Sequence, residues 1–203
     1  DPTTGQLADF CQHVSMGCGT NLVDFCRRAG IADSFRRFRV LHFIAPDGRQ
    51  FDLAPGRWLP APLHLLPAIW RLKYLSRRER IGIVLTMRRL AREAGDASER
   101  TIAQWLRDQK QSAHAIENFW GVILVSALAE TLDRISVVAA RQVFVRGFLA
   151  SRGACDVLVP EMPLGELYGE RLMRRLIELG VALHLGSAGG RIDRTAALAE
   201  TLQ

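Results

Sequence analysis

The stretch 156–192 constrains the chain most. It reads DVLVPEMPLGELYGERLMRRLIELGVALHLGSAGGRI, which predicts a short apolar strand over 157–159, a Pro-bounded turn, a helix closed by Gly180 and a second apolar strand over 181–185. Gly186–Gly190, GSAGG, is then a turn that leads to Arg191 and Ile192. The second strand is apolar on both faces, as a strand buried inside a larger sheet is. Elsewhere the sequence shows no set of strands large enough to bury it.

Composition narrows the class. With 203 residues, 48% hydrophobic and 24% charged, the chain is a folded globular protein of one large or two small domains. The net charge of +6 is mostly arginine, and it suits nucleic acid, an anionic membrane surface or an anionic ligand. Acidic residues interleave with the arginines (Arg77, Arg78, Glu79; Asp96, Glu99, Arg100), and no aromatic-basic signature or helix-turn-helix accompanies them, so no nucleic-acid partner is expected. Cys11, Cys18, Cys26 and Cys155 form no CxxC pair and no spacing with histidine, which indicates reduced thiols and no metal. The longest uncharged run, 10–23, is too short to span a bilayer. The chain starts at Asp1 without Met and stops at Gln203 without a closing element, and it reads as a piece of a longer or processed chain.

In order along the chain, Asn21 is expected to cap a helix over 22–29 that Gly30 closes. Strands over 38–45 and 50–53 flank Pro46-Asp47-Gly48, the chemistry of a hairpin turn. The run 58–75, WLPAPLHLLPAIWRLKYL, carries prolines at 60, 62 and 67, so a short helix entering near Pro67 is expected. Ser76 and Glu79 form a capping box for a helix to about Ala94, ended by Gly95, and Thr101 with Gln104 opens a helix over 105–110. Helical runs over 113–131 and 136–149 follow, with Asp133 and Ser136 as cap candidates. The middle of the chain is therefore mainly helical.

Few residues carry a chemical signature. Gln12-His13 places an imidazole in an apolar segment, where it exchanges protons from a pocket or is a satisfied structural residue. His42, His64, His114 and His184 have weaker claims, and none has metal-ligand spacing. In 58–80 the apolar Leu63, Leu65, Leu66, Ile69, Trp70, Leu72, Tyr74 and Leu75 are bordered by Arg71, Lys73, Arg77, Arg78 and Arg80. That composition fits an interfacial membrane segment or, equally, a core helix followed by a solvated basic one. No G-x-G-x-x-G, P-loop or G-x-S-x-G occurs.

Several stretches, taken in order, resemble the squalene-associated FAD-dependent desaturases, or hydroxysqualene dehydroxylases, of the amine oxidase and phytoene desaturase superfamily. They are Asp9-Phe10-Cys11-Gln12-His13 with Gly17; Leu59-Pro60-Ala61-Pro62-Leu63-His64-Leu65-Leu66; Phe119-Trp120 with Ala127-Leu128; and Val157-Leu158-Val159-Pro160 through Pro163-Leu164-Gly165-Glu166-Leu167-Tyr168 to Gly180. The resemblance implies an α+β fold: a mainly helical substrate domain with a β-hairpin over 1–155, its segment 9–19 near the flavin. Residues 156–203 would be a partial α/β return into a Rossmann-like FAD domain whose dinucleotide-binding start is missing from these residues.

By that resemblance the intact protein would be an FAD-dependent oxidoreductase of squalene and hopanoid biosynthesis, taking the hydroxyl from hydroxysqualene to give squalene, with reduced flavin as hydride donor. His13 would give a proton or hydrogen bond to the departing hydroxyl, and Gln12 would orient substrate or flavin. Phe119, Trp120, Leu124, Leu128, Leu65 and Leu66 would line a tunnel for the C30 isoprenoid. Trp58, Leu63, Ile69, Trp70, Arg71 and Lys73 would face an anionic membrane, making the protein cytoplasmic and peripheral on the inner face of the cytoplasmic membrane. No residue is assigned to FAD itself, no metal is expected, and the oligomeric state is open. A carotenoid or phytoene-type desaturase, or a non-catalytic helical module binding a membrane or partner protein, stand as alternatives.

Overall fold

Two close backbone approaches fasten the start of the chain to a strand near its end. The structure is a computed structural model that describes residues 5, 9, 14–45, 47–56, 58–93 and 100–186. Strand β1 (Ser15–Met16) pairs antiparallel with β5 (Val157–Pro160), placing Ser15 opposite Leu158 and Met16 opposite Val157. On its other edge β5 pairs antiparallel with β2 (Phe35–Phe38), Phe35 opposite Pro160 and Phe38 opposite Val157. Just past β1 the Gly17 amide donates to the Asp156 carbonyl (2.8 Å) and the Cys18 amide to that of Ala154 (3.0 Å). Gly17 lies so close to the 153–156 turn that a Cβ there would sit 2.0 Å from the Gly153 carbonyl oxygen.

Helix α1 (Thr20–Arg28) leaves this junction two residues before the position expected from Asn21. Gly19 is its first boundary residue, without a side-chain cap, and Gly30 at φ +68° closes it. The expected strand over 38–45 divides in two: Phe38 ends β2, and after Arg39 and Val40 the chain starts β3 (Leu41–Ile44), which pairs with β4 (Gln50–Leu53) in a hairpin. Pro67 stands in the first turn of α2 (Leu66–Arg71), where its missing amide costs nothing.

Serines and one threonine open the following helices. Ser76 and Glu79 make both halves of a capping box at α3 (Arg77–Arg92), and Thr101 accepts from the Gln104 amide at α4 (Ile102–Asp108). Ser112 caps α5 (113–128), whose middle, Ile116–Gly121, has wider i→i+5 turns. Ser136 rather than Asp133 caps α6 (137–149), with similar turns over Gln142–Leu149. Strap hydrogen bonds hold α4 to α6, from the Ile102 amide to the Ile135 carbonyl (2.8 Å) and from that of Val137 to Arg100 (3.0 Å). Trp120 and Phe144 meet edge to face at 4.7 Å in the core between these helices. The Trp120 indole is satisfied by Gln111, whose amide in turn serves the buried Thr86 hydroxyl.

After β5 the chain forms α7 (165–178), again with wide turns at its start. Leu167 joins Cys26, Ala29 and Ile31 in a small second core, and Arg171 bonds both Asp33 and the buried Ser34 hydroxyl. Gly180 at φ +79° closes α7 as expected. The segment beyond it does not become the strand expected over 181–185. It pairs with no strand among the described residues, and Val181 and Leu185 are exposed. A strand exists only through a hydrogen-bonded neighbour, and apolar sequence alone does not supply one.

The architecture is thus mixed α/β and mainly helical, with small antiparallel sheets. Among the described residues no parallel strand pair occurs, so the strand, helix, strand reading of 156–192 does not extend to a parallel α/β unit there. No described helix is long and apolar enough to cross a membrane.

Replacing Gly17 by Ala forces the 153–156 turn away from β1 and is expected to destabilise the chain by about 1–3 kcal/mol in urea melts. Glu79 carries a second signature. Burial opposes its ionisation, but hydrogen bonds from Ser112, the Ser76 amide and hydroxyl, and His114 outweigh it and bring the carboxyl down from 4.5 to about 2. The stability this contributes is complete above pH 4.5 and is lost as the pH falls towards 2. Glu79→Gln is expected to lower stability at neutral pH by about 1–2 kcal/mol and to flatten that acid-side slope.

Candidate apolar cleft

Among the described residues β3 pairs on one edge only, with β4. Residues 41–45 in succession line a cleft of 570 Å³ between this hairpin and α5, so the strand meets the cleft edge-on. The opposite wall is one stripe of α5: Asn118, Val122 and Ser126 follow at intervals of four, with Ile123 and Ala127 beside them. Val14, Met16 and Val157 close the end nearest the three-stranded sheet, and Phe148 of α6 and Tyr74 form the floor.

Most of this lining is apolar, and the polar side chains of its wall and floor are hydrogen-bonded within the fold. The Tyr74 hydroxyl donates to the Asn118 carbonyl (3.2 Å), and burial pushes its ionisation up to about 12. The Asn118 amide donates to the His114 carbonyl (3.0 Å), and Ser126 donates to that of Val122 (2.6 Å). Side chains whose hydrogen bonds are made within the fold place little demand on a ligand for polar groups, and the polar groups left to it are those of the outer β3 backbone edge. Val14, Ile44 and Val122 are 54%, 74% and 45% exposed, which gives the mouth an apolar rim.

One titratable pair stands at that mouth. His42 Nδ1 lies 2.7 Å from Asp52 Oδ1, directly across the hairpin, with the Gln50 amide beside both. Hydrogen bonds from Gln50 and then His42 hold the Asp52 carboxyl below its ordinary range. Sequence spacing alone gives His42 little weight, because helical intervals offer it no carboxylate. Counting pairs outward from the Pro46-Asp47-Gly48 turn finds Asp52 at once.

The expected site residues divide sharply. Gln12 and His13 lie outside the described residues; Val14, next in sequence, lines the cleft. Phe119, Trp120, Leu124 and Leu65 are buried in the core at 2% exposure or less, behind the cleft wall rather than on it. Leu128 packs, half-buried, against the same core. Leu66 belongs to a separate groove with Trp70. Of the residues expected to face a membrane, Trp58, Leu63 and Trp70 are exposed, as are Arg71 and Lys73. Ile69 is not: at 2% exposure it anchors α2 in the core. His64 is fully buried, and that burial keeps its ring below the ordinary imidazole range.

The described residues do not form a cradle for the pyrophosphate of FAD. Such a cradle needs a parallel strand, a glycine turn and free amides at a helix start. β5 leads into α7 but is antiparallel to both neighbours, Glu166 sits in the first turn of α7, and the Leu164 amide before it already donates to the Asp9 carboxylate at 3.0 Å. The groups of methyl and aromatic carbon in the cleft suit a hydrocarbon chain instead. The chain matches no protein-family model and no curated protein.

Proposed function

We propose that the chain is the substrate-holding part of an FAD-dependent oxidoreductase resembling the hydroxysqualene dehydroxylases, and that the cleft between the hairpin and α5 receives the isoprenoid chain. The apolar cleft, continuous with Val14 immediately after His13, carries this reading. Its 570 Å³ lies in the ordinary range for a small-molecule site of roughly 300–1,000 Å³. A C30 hydrocarbon suits a wall whose polar side chains are already paired, and those of Tyr74, Asn118 and Ser126 have their hydrogen bonds made within the fold. Flavin, where bound, supplies the hydride chemistry. The residues of this chain exclude water, hold the allylic end, and through His13 would assist the departing hydroxyl.

The exposed Trp58, Leu63 and Trp70 beside Arg71 and Lys73 support a peripheral place on an anionic membrane, from which so insoluble a substrate would be drawn. That exposed apolar surface equally favours the second reading, a helical module that binds a membrane without catalysis.

Turnover separates the two. In the intact protein that carries the FAD-binding part, with FAD and a reductant, hydroxysqualene is expected to yield squalene, and His13→Ala to abolish most of that yield. Ser126→Trp, an exposed residue of the cleft wall, is expected to lower kcat/KM roughly tenfold or more with an unchanged melting temperature. Unchanged turnover in both variants removes the dehydroxylase reading. Product formation from dehydrosqualene under an electron acceptor, and none from hydroxysqualene, would point to a carotenoid-type desaturase.

A further inference from the structure

α3 presents two different recesses on its outer side. The first, of about 800 Å³, lies between α3 and the connection from α4 to α5, and Arg78, Arg89 and Lys110 line it together with Glu79 and His114. Glu79 is already committed to Ser76, Ser112 and His114, and stays ionised to about pH 2. Three cations therefore face one carboxylate, and none of the three makes an ion pair among the described residues. The second recess, of about 410 Å³, is formed by Leu66, Pro67, Trp70, Ile81, Val84 and Leu85 and is almost wholly apolar. Trp70, Ile81 and Leu85 are each about half exposed there, at 52%, 49% and 49%. Leu85 belongs to both walls, so the basic recess runs into the apolar one across a single side chain.

We propose that the two recesses together bind one anionic phospholipid, with its phosphate among Arg78, Arg89 and Lys110 and an acyl chain along Ile81, Leu85 and Trp70. A free anion would use only the first recess and an uncharged hydrocarbon only the second; a phospholipid uses both in the order the surface offers them. The Trp70 ring lies under the Arg80 guanidinium, which is 5.4 Å from the ring centroid, and Arg80 also bonds the Trp70 carbonyl, which holds the indole in the wall of the apolar recess. This site deepens the membrane part of the proposed function and rests on that part alone; it is independent of the flavin chemistry.

Vesicle flotation at low salt tests it, using phosphatidylcholine with and without phosphatidylglycerol. The variant Arg89→Gln/Lys110→Asn removes two cations with little backbone cost, since Lys110 sits at φ +57°, a conformation asparagine tolerates. Its partitioning onto phosphatidylglycerol vesicles is expected to fall about twenty-five-fold, roughly fivefold for each cation, with no change on phosphatidylcholine alone. Arg78→Gln is a second variant should the first melt early. Leu85→Gln is expected to weaken binding to both vesicles. Arg146→Gln/Arg174→Gln removes the same charge from residues that line neither recess and is expected to change binding less than threefold. Equal losses in the two double variants would reduce the effect to diffuse attraction and overturn the site. So would binding to phosphatidylcholine as tight as to phosphatidylglycerol. Binding to neither vesicle overturns the membrane reading and this site with it, whereas failed turnover of hydroxysqualene leaves the vesicle result standing.

Discussion

Strand β5 is held on both edges by chain from the first forty residues, and the position of the cleft depends on that double pairing. Met16 and Phe38 both lie opposite Val157, one from each side, so a single residue of β5 fixes where β1 and β2 end. Arg37 reaches back to the buried Asp156 at 3.5 Å, and the Gly17 amide takes the Asp156 carbonyl. Closing so long a loop costs chain entropy whatever lies between, and these contacts, with the burial of β5, must offset it. Once they form, Val14, Met16 and Val157 have no choice but to face α5 and the hairpin, which is how the end of the cleft is made.

Local chemistry was readable in the sequence, and partnership was not. Ser76 with Glu79, Thr101 or Ser136 announces a helix start because its side chain bonds an amide three residues away. Gly30 and Gly180 announce ends for an equally local reason, the left-handed backbone they adopt. Strands answer to residues far off. The partition of 38–45 between two sheets depends on what stands opposite Phe38 and Leu41, and 181–185 has apolar residues but no opposite strand among those described. The pair His42 and Asp52 lay between these cases, since a recognised turn sets its own register.

The wall of the cleft does not stand out in the sequence, for a third reason. Hydrophobicity marks the face of α5 that packs deepest, and Phe119, Trp120 and Leu124 therefore went into the core with Phe144. The face that lines the cleft is half in water and carries Asn118, Val122, Ser126 and Ala127, a blander mixture. The i→i+5 turns over Ile116–Gly121 add to the difficulty, because each such turn shifts the stripe by a residue against a 3.6-residue count.

The run 58–75 ties the two surfaces together. Leu72 and Leu75, at 0% and 1% exposure, pin it to the core, while Trp70 turns outward to the groove beside α3 and Tyr74 inward to the floor of the cleft. Phe51 of the hairpin packs edge-on against Tyr74 at 5.1 Å, so the hairpin rests on the same short segment that carries the exposed tryptophan. A displacement of α2 on contact with a bilayer would therefore reach the hairpin edge of the cleft through Tyr74 and Phe51, without crossing the aromatic core. In the proposed reading this matters because an insoluble substrate must leave the bilayer and enter the cleft without an aqueous step. The segment 58–75 lines the groove beside α3 through Leu66, Pro67 and Trp70 and the cleft through Tyr74, while Ile69, Leu72 and Leu75, interleaved with those contacts in sequence, hold it to the core.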